Sequence, residues 1–188
     1  MNDLGEETSR RAKVVRFLGE RGAGAIAHPG GTLLAHLVRV ADVLAEWGAD
    51  RDIQLAGLCH AMYGTDGFAQ SLVDLADRKT VVELIGERAE ALVYFYGSCD
   101  RTAVYPRLDT QPVVFRDRFT GLEYEPADAD LRVFLEITVA NELDVLAHNA
   151  DLAAQHGSAL YQLFARTKNY LSAPAWQACH AELASATS

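Results

Sequence analysis

Residues 28–68 read HPGGTLLAHLVRVADVLAEWGADRDIQLAGLCHAMYGTDGF. Within this stretch Leu33, Leu37, Val40, Ala41, Leu44 and Trp47 recur at helical spacing, and His36 lies in the same stripe, three after Leu33 and four before Val40. A second segment places Ile53, Ala56, Gly57 and His60 at i, i+3, i+4 and i+7. Between them, Gly48 stops one helix and Asp50 starts the next, so the two read as an antiparallel helical hairpin. Each helix carries one histidine on its apolar side. If the helices pack, the two imidazoles meet in one partly buried place, and that pair is the first candidate for a site.

Working outward, a helix is expected over residues 4–20, with Val14, Val15, Phe17 and Leu18 facing inward. The segment RGAGAIAHPGG that follows reads as a glycine-rich loop, and Thr32 as the N-cap of the helix bearing His36. After the hairpin comes a turn, YGTDGF. Helices are then expected from Thr80, over Arg88–Ser98, after a cap at Asp128 or Asp130, over residues 150–169, and after Ser172-Ala173-Pro174. In the long helix after Asp128, Leu131, Phe134, Leu135, Thr138, Asn141, Glu142 and Val145 fall near one stripe. Residues 110–126 differ: β-branched and aromatic residues surround Thr120-Gly121, which predicts a β-hairpin or extended lid. The fold class is therefore all-α, a helical bundle with one small β-hairpin insertion, and 188 residues without a linker or repeat fit a single domain.

Composition excludes several function classes. A formal charge of -9 is the wrong sign for gripping nucleic acid, and no dense basic cluster offsets it. The N-terminus is acidic and polar, unlike a secretory signal, and no apolar run approaches the roughly 20 residues of a membrane helix. The three cysteines, Cys59, Cys99 and Cys179, are widely spaced and form no CxxC, which suits buried free thiols in a reducing cytoplasm. The nucleophile-elbow, P-loop and dinucleotide fingerprints are missing from the chain. A small-molecule substrate is the expected partner, with neither nucleic acid nor membrane; a homodimer is a further candidate.

The pattern His36-x-x-Arg39-Val40-Ala41, a Trp-Gly helix end and Leu55-Ala56-Gly57-Leu58-Cys59-His60 resembles the start of an HD-domain protein. The resemblance spans roughly residues 28 to 150, and its motifs are short. It implies a helical, metal-dependent phosphohydrolase in which His36 and His60 are ligands and Asn141 or Asp144 stands at the last aspartate. More narrowly, HxxYGT with the downstream IGERAE and ANEL resembles a group of small bacterial HD-like proteins. Two departures stand out. Ala61 follows His60 where the family has aspartate, and Asn141 is neutral where an anionic ligand is needed in one alignment. Without those carboxylates, two histidines fall short of the three protein ligands of a usual catalytic metal site, so neither metal nor other cofactor is expected.

The residue types that remain suit acid–base chemistry. An imidazole of ordinary pKa, about 6.5, takes and returns a proton near neutral pH. His36, His60, Tyr63 and Asn141 form the expected catalytic set, with Asn141 as donor to an enolate or carbonyl oxygen. His28, Thr65, Tyr96, Phe115 and Arg118 are expected to line the substrate pocket, its wall largely aromatic. The expected activity is metal-independent dehydration or conjugate-addition cyclisation of a polyketide-like molecule in bacterial specialised metabolism. The alternatives are the metal-dependent phosphohydrolase and a non-catalytic small-molecule binding protein. Asp144 with His148 reads as an exposed helix pair, and His156 and His180 as surface residues.

Overall fold

The computed structural model describes residues 3–184, with side chains from residue 9 onward. Met1 and Asn2, the start of the acidic N-terminal segment, lie outside the described residues. The chain runs α1 (Asp3–Glu20), β1 (Ala27–His28), β2 (Gly31–Thr32), α2 (Leu33–Glu46), α3 (Arg51–Cys59), α4 (Arg78–Ile85), α5 (Glu87–Ser98) and α6 (Arg101–Val104). It continues through β3 (Phe115–Arg116), β4 (Glu123–Tyr124), α7 (Asp128–Ala147), α8 (Ala150–Arg166) and α9 (Ala173–Leu183). The fold is all-α with small hairpins, and among the described residues no helix is long and apolar enough to cross a membrane. The chain groups into two compact units, residues up to Gly97 and residues from Ser98 onward.

In the first unit the organising element is the α2–α3 hairpin. Thr32 caps α2 by accepting from the Ala35 N–H, and Asp50 caps α3 by accepting from the Ile53 N–H. Leu33, Leu37, Val40, Ala41 and Leu44 are all buried, as their spacing predicts. The helices approach closely because α3 presents Gly57. A Cβ there would lie 2.2 Å from Leu44 Cδ1, well inside contact distance. Of the inward positions expected in α1, Val14 and Leu18 are fully buried, whereas Val15 and Phe17 are half-buried.

One element of this unit departs from the sequence reading. The expected glycine-rich loop contains a two-residue β-ladder, with Ala27 opposite Thr32 and His28 opposite Gly31. The turn between them is Pro29-Gly30, with Gly30 at φ 78°. Pro-Gly is the sequence of a tight turn, so the signal is present but too short to read as strand.

In the second unit, α7 packs against both α8 and α9. Three expectations are corrected here. α7 begins at Asp128 after Ala127, so neither Asp128 nor Asp130 is its cap; both lie in the first turn, where a carboxylate favours the positive end of the helix dipole. The helix also buries more than one stripe: Glu136, Ile137, Val139 and Ala140 are buried, whereas Asn141, Glu142 and Val145 are half-buried. Glu136 is satisfied by the N–H and hydroxyl of Ser172, which caps α9. Asp144 is buried and not exposed, and His148 Nδ1 lies 2.8 Å from its carbonyl oxygen.

The insertion pairs Phe115 with Tyr124 and Arg116 with Glu123. Asp117 shapes its turn by accepting from the N–H groups of Phe119 and Thr120, and Gly121 has φ 74°. The three cysteines are free and buried. Burial pushes the Cys59 thiol well above its ordinary value and the Cys179 thiol up to about 12, so both are poor nucleophiles near neutral pH.

Candidate functional site

The first unit gathers aromatic rings from five segments into a continuous row. His28 on β1 stacks on His36 of α2, with ring centroids 4.1 Å apart and planes at 27°. His36 meets His60 edge to face at 5.3 Å, and His60 meets Tyr96 of α5 in the same manner at 5.2 Å. Phe68 closes the other end, 6.1 Å from His28. His36, His60 and Tyr96 are buried, whereas His28 and Phe68 are half-exposed. The row thus runs from the surface inward.

Local structure fixes each ring. α3 ends at Cys59, so His60 is its C-cap residue and not a member of the helix that the spacing predicts. Its Nδ1 lies 2.7 Å from the Gly57 carbonyl oxygen. A carbonyl only accepts, so Nδ1 carries the proton and the neutral ring holds its lone pair on Nε2. His28 is held by the Pro29-Gly30 turn, whose two carbonyls accept from the Arg39 guanidinium at 3.2 and 3.3 Å. Arg39 belongs to the HxxR pattern, which by itself signals no role for it; in the fold it clamps the loop that carries His28.

The YGTDGF turn positions the remaining pieces. Thr65 and Phe68 exchange both backbone hydrogen bonds, at 2.7 and 3.1 Å, which closes the turn and directs Phe68 toward His28. Gly64 precedes it at φ 69°, with the Ala69 carbonyl oxygen 3.0 Å from where a Cβ would stand. Thr65 is buried as part of this turn. Tyr63 donates to Glu90 Oε1 at 2.9 Å, and Glu90 receives both prongs of Arg78, at 2.7 and 2.8 Å. Burial first, then the hydrogen bond to Glu90, push the Tyr63 phenol well above its ordinary value. It therefore stays protonated near neutral pH and serves as a donor. The IGERAE segment ends on Glu90, but nothing in the sequence pairs that residue with Tyr63 or Arg78, because those contacts depend on how the elements pack.

The other expected site residues belong to the second unit. Asn141 Nδ2 donates to Glu142 Oε1 at 3.1 Å. Phe115 is buried against Phe134 and Tyr124, and the Arg118 guanidinium lies over the Phe119 ring at 4.3 Å. The residues present do not fit the metal centre that the HD resemblance implies. Ala61 supplies no carboxylate beside His60, and among the described residues no group of three or more His, Cys, Asp or Glu is arranged to hold a metal ion.

A family model described as a domain of unknown function, DUF6817, matches residues 17–101. The match contains the whole row from His28 to Tyr96. No curated protein and no solved structure matches the chain.

Proposed function

We propose that this chain is an acid–base enzyme acting on a small organic molecule. The reading rests on one observation: three imidazoles from three separate elements lie in direct ring contact, and one of them has its tautomer set by a backbone carbonyl. With His60 protonated at Nδ1, Nε2 is its basic atom. His36 and His28 extend from it as groups able to take up or return a proton. Tyr96, at the inner end of the row, is the hydroxyl donor of the same unit, whereas the Tyr63 hydroxyl is committed to Glu90 and helps fix the turn behind His60.

Chemistry within reach of such groups is removal of a proton beside a carbonyl, followed by loss of water or closure of a conjugated system. A polyketide-like substrate in bacterial specialised metabolism is the concrete form of this proposal. Because His28 and Phe68 are half-exposed, a substrate reaches the row from that side.

Hydrogen–deuterium exchange tests the reading whatever the natural substrate is. Simple β-keto and β-hydroxy thioesters are incubated with the protein in deuterated buffer, and α-proton loss is followed by NMR. Exchange by wild type that falls about 100-fold or more in His60→Gln and His36→Gln is the expected result. Equal rates in wild type and both variants would remove the acid–base reading. Stoichiometric iron, manganese or zinc in the purified protein, with phosphate-ester hydrolysis abolished by a chelator, would favour the phosphohydrolase.

A further inference from the structure

The second unit contains a cleft of about 400 Å³ with no part in the imidazole row, lined by residues of α6, α7 and α8 and by Tyr105. We propose that it is a separate binding site for a small organic carboxylate with an apolar body. Its volume lies in the lower part of the range of about 300–1,000 Å³ typical of ligand pockets.

The polar groups are arranged as a pre-set clamp. Arg101 Nη1 donates to Glu142 Oε1 at 3.2 Å, and Asn141 donates to the same oxygen at 3.1 Å. This ion pair is well shielded, with the two side chains 19% and 15% exposed, so its geometry is held before any ligand arrives. Arg166, also in the lining, is anchored through Nη2, which donates to the Tyr105 carbonyl oxygen at 2.8 Å. Its acidic neighbour, Asp109, sits 3.7 Å from Nε and is 44% exposed, a separation beyond hydrogen-bond reach and open to solvent screening. Leu160, Leu163 and Ala159 supply the apolar part of the lining, which also includes His156.

Charge decides the ligand class. Two guanidinium groups against one carboxylate give the lining itself a single formal positive charge, offset only in part by the solvent-screened Asp109 outside it, in a chain whose overall charge is -9. A monoanion matches that balance, whereas a dianionic phosphate would be left half-compensated. Arginine's planar fork matches the two oxygens of a carboxylate. The leucine face then favours a hydrocarbon body over a fully polar one. This gives His156, which has no part in the proton-transfer reading, a place in the cleft lining, and Asn141, outside that lining, supports it by donating to Glu142 Oε1.

The test uses the intact chain and three probes: 4-phenylbutyrate, its uncharged amide and inorganic phosphate. Binding is followed by methyl NMR of the leucines and by calorimetry. The carboxylate is expected to shift the Leu160 and Leu163 signals, and the amide to bind about tenfold more weakly, the cost of losing a charge-assisted hydrogen bond. Phosphate is expected not to bind. Arg166→Gln should weaken the carboxylate about tenfold, with Arg166→Lys between it and wild type. Arg16→Gln, outside the cleft, should bind as wild type does. Equal binding of acid and amide, unchanged affinity in both Arg166 variants, preferred binding of phosphate, or no binding of the acid at millimolar concentration would each overturn the proposal. Loss of exchange activity in the imidazole variants, or its absence, leaves this result unaffected, because the probes and the residues differ.

Discussion

Tyr63 is 4% exposed and its hydroxyl meets a carboxylate that is itself 3% exposed. A hydrogen bond to a charged, buried acceptor contributes about 1.5–3 kcal/mol, so Tyr63→Phe is expected to lower unfolding free energy by about that amount. The pH dependence has a definite sign. The folded chain holds the phenolic proton more tightly than the unfolded chain does. The contribution is therefore complete below the unfolded value of about 10 and is lost as pH rises toward the higher folded one. Urea titrations should show a constant gap between wild type and Tyr63→Phe from pH 7 to about 9, shrinking above about pH 10. A gap that widens in alkali would show that Glu90 does not hold this hydroxyl.

The imidazoles teach a related lesson at the same scale. That His36 faces inward is legible from spacing, because the side of a helix on which a residue lies depends only on its position in the repeat; His60 is buried one residue beyond the end of α3, as its C-cap. Which atom of His60 is protonated is not legible there. It follows from the chain turning at Cys59 so that Gly57 offers its carbonyl to Nδ1. Arg39 is visible in the sequence as the arginine of the HxxR pattern on a mostly apolar helix. Its role becomes clear only with Pro29 and Gly30 seen beneath it.

At the scale of elements, the α2–α3 crossing depends on Gly57. An alanine there gains helix propensity of up to about 1 kcal/mol, yet its methyl would meet Leu44, and overpacking of a filled core costs about 1–3 kcal/mol. Gly57→Ala should therefore be net destabilising. In the Gly57→Ala/Leu44→Ala double variant the added methyl finds the space Leu44 vacates. Chemical denaturation of the four proteins should give a favourable coupling energy, with the double variant more stable than the sum of the singles. Simple additivity would mean that Leu44 moves aside at no cost.

Asp50 is the other element-scale determinant, since it both caps α3 and bonds Arg88 of α5 at 2.8 Å. Burial pushes its carboxyl up, but the hydrogen bonds from Arg88 and Ile53, with the arginine's charge, outweigh that and hold it below its ordinary value. A lowered folded value means the contribution is present above the unfolded pKa of about 3.9 and lost as pH falls through the folded one. Asp50→Ala should cost about 1 kcal/mol near neutral pH, a fall of about 2–4 °C in melting temperature, and the deficit should narrow below about pH 4. Asp50→Asn, which keeps the capping oxygen, should lose less. Equal losses in the two variants would mean the cap contributes nothing and only the ion pair matters.

For the molecule as a whole, the boundary between the two compact units falls at Gly97-Ser98, the last two residues of α5. Domain boundaries ordinarily lie in exposed linkers, but this one falls at the C-terminal end of α5, on Ser98, which is fully buried. Cooperative unfolding of the whole chain is the expected consequence. The two tryptophans test it directly, because Trp47 belongs to the first unit and Trp176 to the second. Denaturation of Trp47→Phe and Trp176→Phe, followed by fluorescence of the remaining indole, should give the same midpoint relative to each variant's circular-dichroism curve. Separate fluorescence and circular-dichroism midpoints within one variant would establish two folding units.

Periodicity, capping residues and the missing basic and apolar tracts are enough to establish an all-helical chain with a hairpin near Thr120 and a histidine on each arm of the α2–α3 pair. These properties are local: they depend on a residue's neighbours within one or two turns of helix. Contacts between residues distant in sequence are settled by packing alone. The stacking of His28 on His36, the seating of Glu90 between Tyr63 and Arg78, and the separate cleft at Arg101 and Arg166 all depend on which elements come to lie side by side. No spacing rule along the chain encodes those distances, since each arises from the packing of elements within its own unit.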